Sequence, residues 1–285
     1  MPDGDALSGW WHAAPSTPRG LVVHLHGLEA NSDSGHMKAM SLLAHDSGFA
    51  SLRLDWRGCG ASEVTCKSMY HALAGDDLAA AVGWASRRLP GVPIFLTGIS
   101  LGGAVALRWL SSLGPLGPAL VRGLVTISAP LDLDAAARQL AKPANRPYER
   151  WFLASMKARV RRAARRSPET WGGKLPAALS ARCLRAFDDV VTAPMAGQSD
   201  ASAYYENASA GRSLGELRVP TILIHAKDDP FVPPPTETGP FGRLMLLPAG
   251  GHGGFLAGRP MAFAGGLTTD RWAEGAAISL LADWL

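Results

Sequence analysis

The 285-residue chain has only three cysteines, Cys59, Cys66 and Cys183, with no C-x-x-C spacing. So sparse and odd a set argues against a disulfide framework and against a structural zinc site, and fits a reducing cytoplasm. Long apolar runs are missing as well. No stretch of about eighteen residues escapes charge or turn residues, which excludes a membrane-spanning helix. The leading Met1-Pro2-Asp3-Gly4-Asp5 has neither a basic nor an apolar region, so nothing there suggests export by a signal peptide. There is no internal repeat, and Gly114-Pro115-Leu116-Gly117-Pro118 is turn material rather than linker. What is present, 47% hydrophobic and 18% charged residues, describes a soluble globular protein able to bury about three quarters of its unfolded surface without staples.

Charge is unevenly spread. The net charge is +4, yet residues 138 to 185 hold thirteen Lys and Arg against Glu149 and Glu169, leaving +11 there and −7 elsewhere. Phe152, Met156, Val160 and Ala163 recur at helical spacing, with Lys157, Arg159, Arg161, Arg162, Arg165 and Arg166 between them, as in a basic amphipathic helix. Such a face has three readings: a solvated surface, a contact with an anionic membrane surface or acidic substrate, and nucleic-acid binding. No zinc finger, RNP-like stretch or basic zipper accompanies the charge, so no nucleic-acid partner is expected.

Apolar runs alternate with helical patterns in the rhythm of a mostly parallel sheet covered on both faces. The expected strands are 21–25, 50–54, 93–97, 121–128, 221–225 and 244–247. Segments 35–47, 75–89 and 102–113 suit crossover helices, and 272–285 reads as a closing helix. The rhythm breaks after Pro130. Residues 131–218 are basic, Ala-rich and helical in pattern, which predicts a cap inserted into a core made of 1–130 and 219–285.

The strand ending at Thr97 runs into Gly98-Ile99-Ser100-Leu101-Gly102, followed by a helix. By composition alone G-x-S-x-G would arise about 0.3 times in this chain, so its weight comes from the strand-turn-helix context. There the serine sits on a strained turn where flanking side chains would collide with backbone, and the helix N-terminus aims N–H groups at developing negative charge. A serine hydroxyl needs a neutral imidazole to take its proton, and the partners of such a turn follow in the order Ser, acid, His. Strand 221–225 leads into Ala226-Lys227-Asp228-Asp229-Pro230, and strand 244–247 into Gly250-Gly251-His252-Gly253-Gly254. His252 is the expected base. Consecutive residues at a strand end point opposite ways, so one aspartate faces the histidine; the D-x-x-x-P frame favours Asp229, with Asp228 left to hold the loop.

An oxyanion hole needs the N–H after the nucleophile and another from the loop after an early strand, here Leu101 and Leu28. Gly27 would let that loop turn inward. His24 and His26 share a strand face as a metal-binding pair would, but no third ligand lies near, and neither a metal nor a cofactor is expected.

These motifs together resemble the YheT-type branch of the α/β-hydrolases, which includes embryogenesis-associated plant proteins and related mammalian membrane lipases. The resemblance spans nearly the whole chain: His26-Gly27-Leu28-Glu29 with Asn31-Ser32, Asp55-Trp56-Arg57-Gly58-Cys59-Gly60, the serine turn, Ser128-Ala129-Pro130, Phe187-Asp188-Asp189 with Thr192-Ala193-Pro194, Tyr204-Tyr205, and the two loops with Asp229 and His252. It departs in two places. Relatives commonly carry a stretch ahead of the Pro-Asp-Gly-Asp segment, and the glycine usual after His-Gly-Leu-Glu is Ala30 here.

The resemblance implies an α/β-hydrolase fold and a serine esterase or lipase acting on short to medium acyl esters through an acyl-enzyme on Ser100; the cysteines place the expectation in the cytoplasm, and the basic cap adds that of a weak anionic membrane contact. Acyl transfer to an alcohol shares that intermediate, and a non-catalytic binding module would show a broken triad or blocked pocket. Haloalkane and epoxide chemistry would put aspartate at position 100. Trp151, Phe152, Trp171, Tyr204 and Tyr205 are candidates for pocket lining or for core.

Overall fold

Alternation along the buried strands decides which helices cover which face of the sheet. A computed structural model of the chain describes Met1, residues 3–263 and residues 268–285. Seven strands pair in one sheet: β1 (Ser8–His12), β2 (Leu21–Leu25), β3 (Ala50–Asp55), β4 (Ile94–Ile99), β5 (Gly123–Ile127), β6 (Thr221–Ala226) and β7 (Gly242–Leu247). Their order across the sheet is β1-β3-β2-β4-β5-β6-β7. β2 to β7 run parallel and β1 is antiparallel to β3. Leu21, Val23 and Leu25 of β2, with Leu96 and Leu124, meet α2 (Gly75–Arg88) and α3 (Leu101–Leu113) through Leu78, Val82, Val105 and Leu110. Val22, Phe95, Val125 and Ile224 meet the other layer, α1 (Gly35–Asp46) and the closing helix Trp272–Ala282, through Met37, Met40, Ala277 and Ile278. This is the α/β fold with a mostly parallel central sheet and helices on both faces that the apolar rhythm predicts.

Three strands escape the sequence reading. β1 is a five-residue edge strand whose Trp10 is 52% exposed, so it has no continuous apolar signal. The antiparallel pair β8 (Leu256–Ala262) and β9 (Thr268–Arg271) is likewise exposed on β8 and interrupted by Gly258 and Pro260.

Every regular element from Leu133 to Glu216, between β5 and β6, is helical. The longest is α5 (Arg146–Arg166), while α4 (Leu133–Leu140) and α6 (Ala201–Ala208) pack on each other through Leu133, Tyr204 and Tyr205. Leu153, Met156, Val160 and Ala163 of α5 bury against Trp171, Leu184, Phe187 and Val191, and this cluster also holds Met69 from the sheet side. Arg146, Arg150, Arg161 and Arg165 face outward, while Arg162 and Arg166 hold Glu63 at 2.6 and 2.8 Å. Arg159 departs from the polar-face reading of its helix: it is buried, and its partners lie in the core. Among the described residues no helix is long and apolar enough to cross a membrane.

Candidate active site

β3 and β4 lie on opposite sides of β2, so the winding direction changes at the C-terminal end of β2, the place where open parallel sheets leave a crevice. Leu25 of β2 pairs with Gly98 of β4, which sets the loop after β2 beside the turn after β4. On that turn Ser100 has φ 51° and ψ −122°, a conformation that L-residues avoid. The turn is possible because its flanks are bare. A Cβ on Gly98 would lie 2.5 Å from the Gly103 Cα, and one on Gly102 would lie 2.5 Å from the Leu25 carbonyl oxygen. The Ser100 N–H is held by the Ile127 carbonyl at 2.8 Å.

His252, on the loop after β7, brings Nε2 to 3.0 Å from Ser100 Oγ. Its Nδ1 lies 2.9 Å from Asp229 Oδ2 and 3.2 Å from Oδ1. The buried Asp229 carboxylate also accepts the Phe231 and Val232 N–H groups, each at 2.9 Å. Burial alone would raise its pKa, but the hydrogen bond and charge of His252 and those two N–H groups outweigh burial and lower it. Asp229 is therefore held as an anion facing Nδ1, the tautomer that leaves Nε2 free to accept from Ser100. Asp228 points elsewhere: its Oδ1 accepts the Gly250 and Gly251 N–H groups at 2.8 and 2.9 Å and so ties the histidine loop to the β6 loop.

On the β2 loop, Gly27 packs directly against Ser100, a Cβ there lying 3.1 Å from Ser100 Cβ. Close approach rather than turning requires the glycine, because its φ is not positive. Among the described residues neither the Leu28 nor the Leu101 N–H donates to a protein acceptor. His24 and His26 are both buried, and their rings are engaged inside the protein: His24 Nδ1 with Thr97 Oγ1 at 2.7 Å, His26 Nδ1 with the Gly27 carbonyl at 2.9 Å, and His26 Nε2 accepting the Trp56 N–H at 3.2 Å. Burial lowers their pKa values to about 3 and about 4, so both are neutral.

Ser100 and His252 open onto a cavity of about 140 Å³ whose lining is mostly apolar, including Leu28, Leu101, Leu133, Leu140, Met156, Phe187, Val191 and Phe231. Phe152, Tyr204 and Tyr205 line it too. Trp171 instead lies in the helical core with Nε1 donating to the Lys67 carbonyl at 2.7 Å, and Trp151 is 60% exposed. Sequence reasoning assigned no role to three polar members of the wall. Asp188 accepts the Thr192 and Tyr205 hydroxyls at 2.6 and 2.7 Å, and burial, outweighing those bonds, raises its pKa to about 6. His71 is neutral for the same reason, burial lowering it to about 4. Glu29 completes the set. The only sequence signals for Asp188 and Glu29 were the Phe187-Asp188-Asp189 and His26-Gly27-Leu28-Glu29 stretches, which carry no chemistry until the fold brings them together, and His71 had none.

Sheet order, strained strand-to-helix turn and a crevice at the strand C-termini define the α/β-hydrolase class. The profile of the alpha/beta hydrolase fold matches residues 20–258. YheT of Escherichia coli (strain K12) is 33% identical over 294 residues, covering 100% of this chain and 82% of that protein. Phospholipase ABHD3 of Mus musculus is 27% identical over 270 residues, which cover 90% of this chain and 65% of the relative's length. Among solved structures Est1E from Butyrivibrio proteoclasticus superposes with a TM-score of 0.59 at 14% identity, covering 99% of this chain and 96% of that one, a likeness of fold alone. The chain belongs to the alpha/beta hydrolase family and, within it, to the YheT-type branch.

Proposed function

We propose that this protein is a serine ester hydrolase that cleaves short to medium acyl esters through an acyl-enzyme on Ser100. The observation that carries the reading is the unbroken line from Ser100 Oγ through the His252 ring to the buried Asp229 carboxylate. In this reading His252 Nε2 takes the hydroxyl proton as Oγ attacks the ester carbonyl carbon, and Asp229 holds the ring and stabilises the imidazolium. The carbonyl oxygen becomes an oxyanion facing the Leu28 N–H on the β2 loop and the Leu101 N–H at the start of α3. The protonated His252 then gives its proton to the departing alcohol. Water repeats the sequence on the acyl-enzyme and frees Ser100. No cofactor enters these steps.

Names of relatives such as ABHD3 support an ester substrate, and the apolar wall suits an acyl chain. Acyl transfer to an alcohol shares the same intermediate. A series of p-nitrophenyl esters from acetate to decanoate, with and without ethanol, tests both: hydrolysis should be fastest for a short to medium chain, and ethyl ester in the products would assign transfer. No turnover of any ester would contradict the reading and favour a binding module. The buried Cys59 and Cys66 thiols suit a reducing compartment, and we place the protein in the cytoplasm.

The basic cap is proposed to meet anionic membrane surface weakly. Support comes from the outward Arg146, Arg150, Arg161 and Arg165, and from an aromatic path that leads inward beside them. Exposed Trp151 touches Phe152 at 5.0 Å between ring centroids, exposed Tyr148 touches Phe231 at 4.8 Å, and Phe231 meets His252 at 5.0 Å. Binding to phosphatidylglycerol vesicles should exceed binding to phosphatidylcholine vesicles and fall steeply between about 0.05 M and about 0.5 M salt. Equal binding to both lipids would remove the proposal.

A further inference from the structure

Arg159 is the one buried cation of the basic helix α5, and it turns onto the loop that carries the Leu28 N–H. Its Nη2 lies 3.0 Å from Glu29 Oε1, its Nη1 donates to the Gly58 carbonyl at 3.0 Å and to Cys59 Sγ, and its guanidinium lies 5.1 Å from the centre of the Tyr70 ring. Both charges of the pair are almost completely withdrawn from water, with side chains 7% and 2% exposed. Burial works against the guanidinium's charge, but Tyr70, Cys59 and Glu29 outweigh it and raise its pKa.

A buried ion pair is a poor source of stability, since apolar side chains of similar volume often do as well. What this pair touches suggests another use. Glu29 directly follows Leu28 and has φ 56°, a left-handed backbone that a glutamate adopts only under constraint. The constraint is double: the Glu29 N–H donates to the Tyr70 hydroxyl at 2.8 Å, and its carboxylate is held by Arg159 and by the Ser155 hydroxyl, one turn earlier on the same helix. Tyr70 itself lies beneath the guanidinium, so both restraints converge on Arg159.

We propose that Arg159 is a positioning residue, which through Glu29 fixes the loop carrying the Leu28 oxyanion donor and so makes seating of the inserted helices a condition for transition-state stabilisation. The proposal rests on the serine-hydrolase reading. With Arg159 seated, the Leu28 N–H is aimed at the place where oxygen charge develops. With Arg159 withdrawn, the left-handed turn relaxes, and the donor moves without loss of Ser100, His252 or the acyl wall.

The test uses Arg159→Met, Arg159→Lys and Glu29→Gln in the full chain, with p-nitrophenyl butyrate as substrate and sites counted by the end point of fluorophosphonate titration. Arg159→Met and Glu29→Gln are expected to lower kcat per titrated site by about 10- to 100-fold with KM within about threefold, below the full cost of deleting a donor. Their double variant should lose no more than the worse single, because both break one connection. Arg159→Lys, which keeps the charge without the planar fork, should recover part of kcat. A purely structural pair would lower the melting temperature and the fraction of titratable sites while leaving kcat per site unchanged. Should Arg159→Met not fold, Arg159→Lys and Glu29→Gln carry the same comparison. Both of these retaining kcat per site within about twofold, while Ser100→Ala loses on the order of 10³-fold, would overturn the inference and leave the hydrolase reading intact; a wild-type protein without ester turnover would instead remove the reading on which it stands.

Discussion

Ser100→Ala is expected to lower kcat for p-nitrophenyl butyrate by on the order of 10³-fold or more, with little change in KM. The hydroxyl is the only group that would form the covalent bond, whereas Leu28, Leu101 and the apolar wall, which would bind the ester, are untouched. A residue of activity above the uncatalysed rate should survive, because oxyanion donors act on an attacking water as well. Alanine fits the position sterically, since it keeps the Cβ and removes only the atom 3.0 Å from His252. The melting temperature should therefore hold while turnover collapses, a separation that stopped-flow kinetics and calorimetry on one preparation would measure. Turnover at the wild-type rate would move the chemistry to another residue.

The second large effect distinguishes two neighbours. Asp229→Asn should lower kcat by about 10³- to 10⁴-fold, because an amide cannot stabilise the imidazolium and can force the wrong histidine tautomer. Asp228→Asn should cost less than about tenfold, since its contacts are the Gly250 and Gly251 N–H groups and an amide oxygen accepts those equally well. Steady-state kinetics of the two variants side by side decides the matter. The reverse ranking would reassign the acid.

Legibility in the sequence follows burial and chain distance. β2 and β4 are buried along their whole lengths, so they read as apolar runs, and with their neighbours they give away the parallel sheet. β1 has no such run because an edge strand borders water on one side. Ser100 is legible because it sits among glycines that a close backbone approach demands, and His252 because the glycines on either side of it, Gly251 and Gly253, take a left-handed backbone. Asp229 and Asp228 are separated by the His252 ring, which only Asp229 contacts, and by which loop N–H groups each accepts; the D-x-x-x-P frame is an indirect trace of the Phe231 and Val232 bonds. Arg159 was illegible in principle: helical spacing groups it with Arg162 and Arg166, and only the path of α5 over the β2 loop reveals that its partner is Glu29. Asp188 and Tyr205 are likewise ordinary residues until the helices fold over Ser100.

Labelling with a fluorophosphonate followed by mass mapping tests the central claim most directly. One adduct is expected, on the peptide containing Ser100, formed quickly by the wild-type protein and at least about 10²-fold more slowly by His252→Ala, because the imidazole is what would make the hydroxyl a nucleophile. An adduct on another residue, or equally fast labelling of Ser100 without His252, would contradict that claim.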